Sequence, residues 1–415
     1  MKWFNAWNLS IRTRSMWSAK LQLGVAVGGV LLFTAGAHSG NLMPPAGPVA
    51  STMKTLAEIE PRIAINAANT PGDADGSPSL FKITQRGSYY LTSNITGVAG
   101  KNGIEIVASG VTLDLNGFDL LGVAGSLDGV GVSVADLTNL AVVNGSARSW
   151  GWRGVNLAGF GSVNCRVEGV LASGNALGGI LVGVDSTVTN CAATSNTFGI
   201  VAAQGSTVTN CSAYNNTGDG ILAGDGSTVI SCAASGNIGG SGIRTANGGT
   251  ISHCSASGNT GSGIFAGAGS TVTHCSANEN TSNGILTDAG STIADCSVRL
   301  NTLDGIFCTE DCVIRGNTCS FNGNSGDGAG IHAIGFGNRI EGNNCTRADR
   351  GIDVDGTGNI IIKNTCAINI TNWTIVANNV VGPILDRRAP ASAAINGNSA
   401  PSSLGSTDPN ANFTY

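Results

Sequence analysis

Residues 206–226 read STVTNCSAYNNTGDGILAGDG, and residues 227–248 read STVISCAASGNIGGSGIRTANG, so that Val208, Cys211, Ala213, Asn216 and Ile221 come back as Val229, Cys232, Ala234, Asn237 and Ile243. Carried outward, the first position runs Val167, Val188, Val208, Val229, Ile251, Val272, Ile293, Ile314, Ile340 and Ile361, and all but one of the intervals are 20 to 22 residues. A second ladder, each member directly after a Gly, runs Ile180, Ile200, Ile221, Ile243, Ile264, Ile285, Ile306, Ile331 and Ile352. A third runs Asn175, Asn196, Asn216, Asn237, Asn259, Asn280, Asn301 and Asn322, then Asn369. A fixed period of this size means stacked supersecondary units, each too small to bury its apolar side chains alone.

Within one unit, Ser227-Thr-Val-Ile-Ser231, Cys232-Ala-Ala-Ser235 and Gly220-Ile-Leu-Ala223 are short runs bounded by Gly, Asp and Asn, and read as strands of three to five residues. Three short strands per lap of about 21 residues predict an all-β, single-stranded right-handed parallel β-helix, with about 4.8 Å between laps. A leucine-rich repeat shares the length, but its Leu pattern and helical half are missing. The Asn ladder is expected at bends with left-handed geometry, each amide bonding to the next lap.

Cysteine confirms the register. Cys191, Cys211, Cys232, Cys254, Cys275 and Cys296 follow the Val/Ile ladder by three residues, and Asn317, Asn343 and Asn364 succeed them. Two positions on, the Ala column gives way to Cys319, Cys345 and Cys366. In-register parallel neighbours do not readily reach disulfide torsions, so the twelve Cys are expected as small buried hydrophobes. A one-dimensional column does not converge four thiolates on a metal. Cys308 and Cys312 stand outside both columns, where a local disulfide is the alternative to free thiols.

The composition agrees: 62 Gly in 415 residues, 11% charged and 5% aromatic, leave little for long helices. A net charge of −5 without a basic run argues against nucleic acid as a partner. Lys2, Arg12, Arg14 and Lys20 precede an apolar stretch, Leu21–Ala35, and the small residues Ala35-Gly-Ala37, the order of a secretory signal peptide at 1–37. A secreted, periplasmic or cell-surface protein is expected, with no membrane span once the signal is cleaved; an uncleaved N-terminal anchor is the alternative. Residues 38–80 read as linker and a short capping helix, Met53–Glu60, which with Tyr89-Tyr90-Leu91 would close the open end of a solenoid extending over 81–375. Residues 376–415 read as a tail or second cap.

Gly110-Val-Thr-Leu-Asp-Leu-Asn-Gly117 resembles the opening coil of pectate-lyase-like right-handed β-helix proteins, and Val208–Asn216 leading into Gly220-Ile221 resembles their parallel β-helix repeat, with Cys where many relatives have Asn. Phe81-Lys-Ile-Thr84, Gly87-Ser-Tyr-Tyr-Leu91 and Ser406–Asn412 extend the resemblance to secreted bacterial members of unassigned function. It implies the fold over about 80–415 and a substrate groove on the outer face of the Gly-Ile strand. It implies no chemistry, because members range from lyases to adhesins. No polygalacturonase-like pattern of paired Asp with Gly-His-Gly and Arg-Ile-Lys is present, nor a lyase-like cluster of Asp ligands beside an Arg base.

That outer row is Leu181, Val201, Leu222, Arg244, Phe265, Leu286, Phe307, His332 and Asp353. Leu222, Arg244, Phe265 and Phe307 are the candidate substrate platform; alternatively the chain after Val380 covers them. At the far end His332, Asp353, Asp355, Arg350 and Asp327 fall on neighbouring laps as candidates for acid and base work or for Ca2+, or as ordinary solvated residues. His253, His274 and Asp295 share one outward position on three laps and are the weaker metal candidates, against a plain wet face. Trp150, Trp152 and Arg153 either stack on sugar or pack on the first coils. Asp219, Asp304 and Asp327, each before Gly, are turn chemistry first. No cofactor is evident. The expected function is carbohydrate-directed, polysaccharide binding with lyase-like or hydrolase-like processing; the alternative is a non-catalytic structural or adhesive cell-surface shaft. The residues leave the glycan, catalysis, thiol state and assembly open.

Overall fold

The computed structural model describes residues 61–73, 75, 76, 78–323, 326–388 and 407–415. The proposed signal, most of the linker, the helix Met53–Glu60 and residues 389–406 of the tail lie outside them. The described chain is an all-β parallel solenoid of about 14 turns of about 21 residues. Each turn carries three strands: Thr207–Thr209, Ser212–Tyr214 and Ile221–Ala223 are followed by Thr228–Ile230, Ala233–Ser235 and Ile243–Thr245, paired parallel and in register. Val208 faces Val229, Ala213 faces Ala234 and Ile221 faces Ile243, so the repeat becomes vertical files. Among the described residues the one helical element is a 3-10 turn, Gly159–Gly161.

Alternation along strands of period two sends one file inward. Val208, Val229, Ile251, Ile221, Ile243 and Ile264 are all 0% exposed, each contributing about 1.5–3 kcal/mol of apolar burial. Around that column the backbone must bend three times per turn, and each bend leaves buried N–H groups that the strands cannot satisfy. Three polar files supply the partners. At the bend between second and third strands, Asn237 Oδ1 accepts the Asn216 backbone N–H at 3.0 Å and the Asn216 amide at 3.0 Å, while its own amide donates to Asn259 Oδ1 at 2.8 Å and to the Ala213 carbonyl. At the bend between first and second strands, Cys thiols fill the corner: Cys211 Sγ donates to the Thr209 carbonyl at 3.2 Å. The same corner passes to Asn at Cys296, whose N–H reaches Asn317 Oδ1 at 2.9 Å. The third corner is a Ser file that the sequence reading did not separate, in which the Ser186 N–H donates to Ser206 Oγ at 3.1 Å, followed by Asn at Asn338 and Asn359.

One expectation needs correcting. The Asn ladder is not itself left-handed; the residue just before it is, at Ser195 (φ 56), Asn215 (φ 53), Gly236 (φ 64) and Glu279 (φ 57). That residue makes the bend, and the Asn then points inward to stitch the turns. Further along, the same bend position holds Leu300, Phe321, Arg347 and Ile368 at φ 54–58, where a non-Gly side chain costs about 1–2 kcal/mol and a β-branched one is a genuine outlier. The Gly before each third-strand Ile has a different cause: a Cβ on Gly242 would meet the Asn259 amide nitrogen at 2.5 Å and the Gly263 carbonyl at 2.8 Å. The Gly-Ile pairing is the close approach that the Asn file demands.

All twelve cysteines are free and buried, Cys308 and Cys312 included. Cys319, Cys345 and Cys366 lie in the inward file that Ala172 through Val298 occupy in earlier turns. Burial pushes the Cys165 thiol above the usual thiol range.

At the first end Ile63–Ala64 pairs parallel with Gly87–Tyr90, and Pro71–Asp73 lies antiparallel on Ser79–Ile83. Tyr89 is 3% exposed inside the first turn. At the other end Asn412–Thr414 pairs with Thr365–Ala367, and Asn412 Oδ1 accepts the Asn364 N–H at 2.9 Å, so this segment takes the place of a further turn. No helix among the described residues is long and apolar enough to cross a membrane.

Asn237→Ala removes the one oxygen that accepts both the Asn216 backbone N–H and the Asn216 amide and is expected to cost on the order of 3 kcal/mol, lowering the thermal unfolding midpoint. Ile368→Gly, at a residue 65% exposed, is expected to stabilise the fold by about 1 kcal/mol as the bend relaxes and so to raise that midpoint. Ellman titration should find no reactive thiol in the native chain and all twelve in denaturant; fast native reaction at any Cys of the 191–296 file would contradict the packing.

Candidate functional site

The third strand of each turn points Ile inward, so its next residue points out. Register pairs Leu181 with Val201, then Leu222, Arg244, Phe265, Leu286, Phe307, His332 and Asp353 in one outer row. The apolar members are half-buried and Arg244 is exposed, its guanidinium 4.9 Å from the Phe265 ring centre. Val201, Leu222, Arg244 and Phe265 line an open depression with Asn247 and Asp288. The chain after Val380 does not take the place reserved for it as a cover over its described part: Val380–Val381 pairs with Ile360–Ile362 on the first-strand ladder.

The row ends in a charged constellation. His332 Nδ1 lies 3.2 Å from Asp304 Oδ2 and Nε2 lies 3.2 Å from Asp355 Oδ2, with Asp353 Oδ2 at 3.9 Å. Arg350 donates to Asp353 Oδ2 at 2.5 Å and to Asp327 Oδ1. The Asp353 side chain is 1% exposed and its Oδ1 has no hydrogen-bond partner. The Phe307 ring meets the imidazole edge-on at 5.3 Å and fixes its plane. The structure thus brings together all five residues read from the sequence and adds Asp304, which the Asp-Gly pairing had marked only as a turn. It does both tasks: Oδ1 accepts the Ala329 N–H at 2.7 Å, and Oδ2 holds His332. The signal that pointed to it was position, two residues before Ile306 and one turn below the His.

Burial works against a charged imidazole here, but the hydrogen bond and charge of Asp304, then Asp355 and Asp353, prevail and hold His332 up at about 9. It is an imidazolium at neutral pH. Arg350 is raised as well, chiefly by Asp353.

Donor atoms of His332, Asp353 and Asp355 lie within 4.8 Å of one another, as do those of Asp73, Asp75 and Glu105 at the first end of the solenoid. In each set a protein cation already stands among the carboxylates. Arg350 serves the first; in the second, Lys82 Nζ reaches Asp73 at 2.5 Å, Asp75 at 2.7 Å and the buried Glu105 at 3.3 Å. A hard cation such as Ca2+ takes six to eight oxygens, and the orphaned Asp353 Oδ1 is one oxygen beside an imidazolium. The residues fit proton transfer better than Ca2+.

His253, His274 and Asp295 occupy the left-handed bend between first and second strands, at φ 55, 54 and 56, and are exposed. The two imidazoles stack at 5.0 Å with planes 4° apart. Trp150 and Trp152 separate: Trp150 is 1% exposed and donates to the Leu120 carbonyl at 3.0 Å, whereas Trp152 is 47% exposed.

Residues 199–344 match the family model described as right handed beta helix region. The chain is a right-handed parallel β-helix protein. Among solved structures, this β-helix is similar to the A-module of mannuronan C-5 epimerase AlgE4 from Azotobacter vinelandii, at 14% identity over 74% of this chain and 92% of that chain, TM-score 0.46. It is also similar to the tailspike protein of E. coli bacteriophage HK620 in complex with pentasaccharide, at 15% identity over 78% of this chain and 69% of that chain, TM-score 0.42. The Dettilon tailspike protein aligns at 15% identity over 74% and 67%, TM-score 0.45. A search of curated proteins finds no match.

Because His332 is raised from 6.5 to about 9, its ion pairs stabilise the last turns fully below about pH 6.5 and lose that contribution as pH rises through about 9. The NMR titration of His332 should report that midpoint, and His332→Asn should flatten the fall in thermal midpoint between pH 7 and 10.

Proposed function

We propose that this β-helix protein is carbohydrate-directed, binding a polysaccharide along the outer face of its third strands and processing it at the His332 end. The observation that carries this reading is an open, half-apolar row of side chains that terminates in an imidazolium held between carboxylates. Apolar and aromatic side chains spaced about 4.8 Å apart offer a platform for the C–H faces of successive sugar rings. The cluster at its end supplies proton chemistry. His332 is the acid, its Nε2 turned to substrate once the exposed Asp355 is displaced by the incoming ring. Asp355 is the acceptor. Asp304 holds Nδ1, while Arg350 and the buried Asp353 set the charge around the imidazole. Export to a compartment where polysaccharide is met belongs to the same proposal, motivated by the basic and apolar order of residues 2–37.

One observation favours the shaft reading: from Thr187 to Cys308 the turns are near copies, and the open depression at Arg244 has no long loop for a wall. The two readings separate on turnover. Incubation with a panel of neutral and uronic-acid polysaccharides, followed by reducing-end formation and unsaturated-product absorbance, should reveal one processed class. His332→Asn should lower that rate by about 10²–10⁴-fold, and wild-type turnover should fall as pH rises through about 9 and survive a Ca2+ chelator. Unchanged turnover in His332→Asn removes the catalytic assignment, and no binding of any polysaccharide leaves the shaft.

A further inference from the structure

Some eight register steps from His332, about 38 Å at 4.8 Å per step, the third and fourth turns form a separate cleft on the same face. It measures about 470 Å³ and is lined by Asn102, Asp128, Trp152, Arg153 and Asn156, with the 3-10 turn Gly159–Gly161 as one wall. That volume lies in the range of about 300–1,000 Å³ usual for small-ligand sites.

The cleft is built rather than incidental. Ser149 makes a left-handed bend at φ 60, and a Cβ on Gly151 would meet the Ser126 carbonyl at 2.1 Å, so only Gly lets this segment lie flat on the turn before it. The Trp152 backbone is tied on both sides, its N–H to the Leu127 carbonyl at 3.2 Å and its carbonyl to the Leu177 N–H at 2.7 Å. The indole is nonetheless left 47% exposed, while its neighbour Trp150 is buried. Below it runs a fixed polar floor. The Asp128 N–H donates to Asn102 Oδ1 at 3.0 Å, Asp128 Oδ1 accepts the Arg153 N–H at 3.0 Å, and Asp128 Oδ2 accepts the Asn156 amide at 2.8 Å. Asp128 is 5% exposed, and burial raises its carboxyl against the pull of Asn156 and Arg153.

An exposed aromatic plane beside a preorganised carboxylate and two amides matches a pyranose, which has one apolar C–H face and a rim of hydroxyl donors. Charge selects among sugars. The Arg153 guanidinium already faces Asp128 at 3.7 Å, so no unbalanced cation remains to favour a uronate or a phosphate. We propose that this cleft is a binding site for a neutral pyranose ring, stacked on Trp152 and hydrogen-bonded by Asp128 and Asn156, which anchors a glycan chain far from the His332 cluster. The inference rests on the proposed function for its ligand class and shares its outer face, since Leu181 of the outer row also lines the cleft; the ring's charge and its place are new.

The test uses the full chain and an array of neutral and uronic-acid hexasaccharides, with affinities of the hits measured by calorimetry. Oxidation of Trp152 by N-bromosuccinimide, mapped by mass spectrometry, reports occupancy of this cleft directly. A neutral hexasaccharide should bind and protect Trp152. Trp152→Ala should weaken it at least tenfold, Trp152→Phe should recover part of the loss, and Asp128→Asn should weaken it while Tyr214→Ser, at an exposed side chain of a second strand, leaves it unchanged. Binding confined to uronic-acid probes, wild-type affinity in Trp152→Ala, or no protection of Trp152 by any array member would overturn the proposal. Lost Trp152-dependent binding with His332-dependent turnover intact sinks the anchor alone; the reverse sinks the catalytic reading alone.

Discussion

A backbone that coils around its own side chains must turn three corners on every lap without water, and each corner buries N–H groups whose neglect costs about 1–3 kcal/mol apiece. The remedy is repetition. A side chain at each corner accepts the N–H of the lap before it, so Asn237 serves Asn216 and is served in turn by Asn259. Such a file works only when a side chain able to accept that N–H recurs at the same phase, as when Asn317 takes over from the thiols at Cys296. Register, period and the near-identity of successive turns follow from that condition more than from the apolar column, which would tolerate any mixture of Val, Ile and Leu.

The corners also explain where the chain spends stability. A left-handed residue precedes each inward Asn; Gly, Asn and Ser hold the early bends, but Leu300, Phe321 and Ile368 hold late ones, and Arg347 holds the equivalent bend before Ala348. Arg299 and Arg347 flank the Phe321 ring at 5.2 Å each, so the strained bends carry cation–π contacts on the surface. The thiol file sits at a corner that Asn fills elsewhere. A thiol donates to a carbonyl and accepts a weak N–H, the same two tasks at smaller volume.

On this scaffold the candidate sites lie on the outward side of one strand and at the few loops that depart from the repeat. His332 gains its charge because the stacking of turns places Asp304 below it and Asp353 and Asp355 above it. No single turn holds the cluster. Trp152 is exposed for a related reason, since the bend after Ser149 is pinned to the turns on both sides and its ring has nowhere inward to go. Both places lie at the ends of a face whose middle is regular.

The period, the three strands per turn, the inward files and the outer row were all legible in the chain, because in a solenoid spatial neighbours are one repeat apart and sequence spacing is itself a distance. The cluster of His332 with Asp327, Arg350, Asp353 and Asp355 was legible for the same reason. Besides the Ser file at the third corner, three things were not. The bend residue was assigned one place too late, onto Asn216 rather than Asn215, since only dihedral angles tell a turning residue from an inward-pointing one beside it. Asp304 was hidden by its Gly partner, because a turn Asp and a histidine-holding Asp look alike until the next lap is stacked on it. The opposite fates of Trp150 and Trp152 were decided by Gly151 closing on the Ser126 carbonyl, a contact that no periodicity encodes. Sequence alone determined what repeats, whereas tertiary structure decided what departs from the repeat, because departures are fixed by packing against particular neighbouring turns.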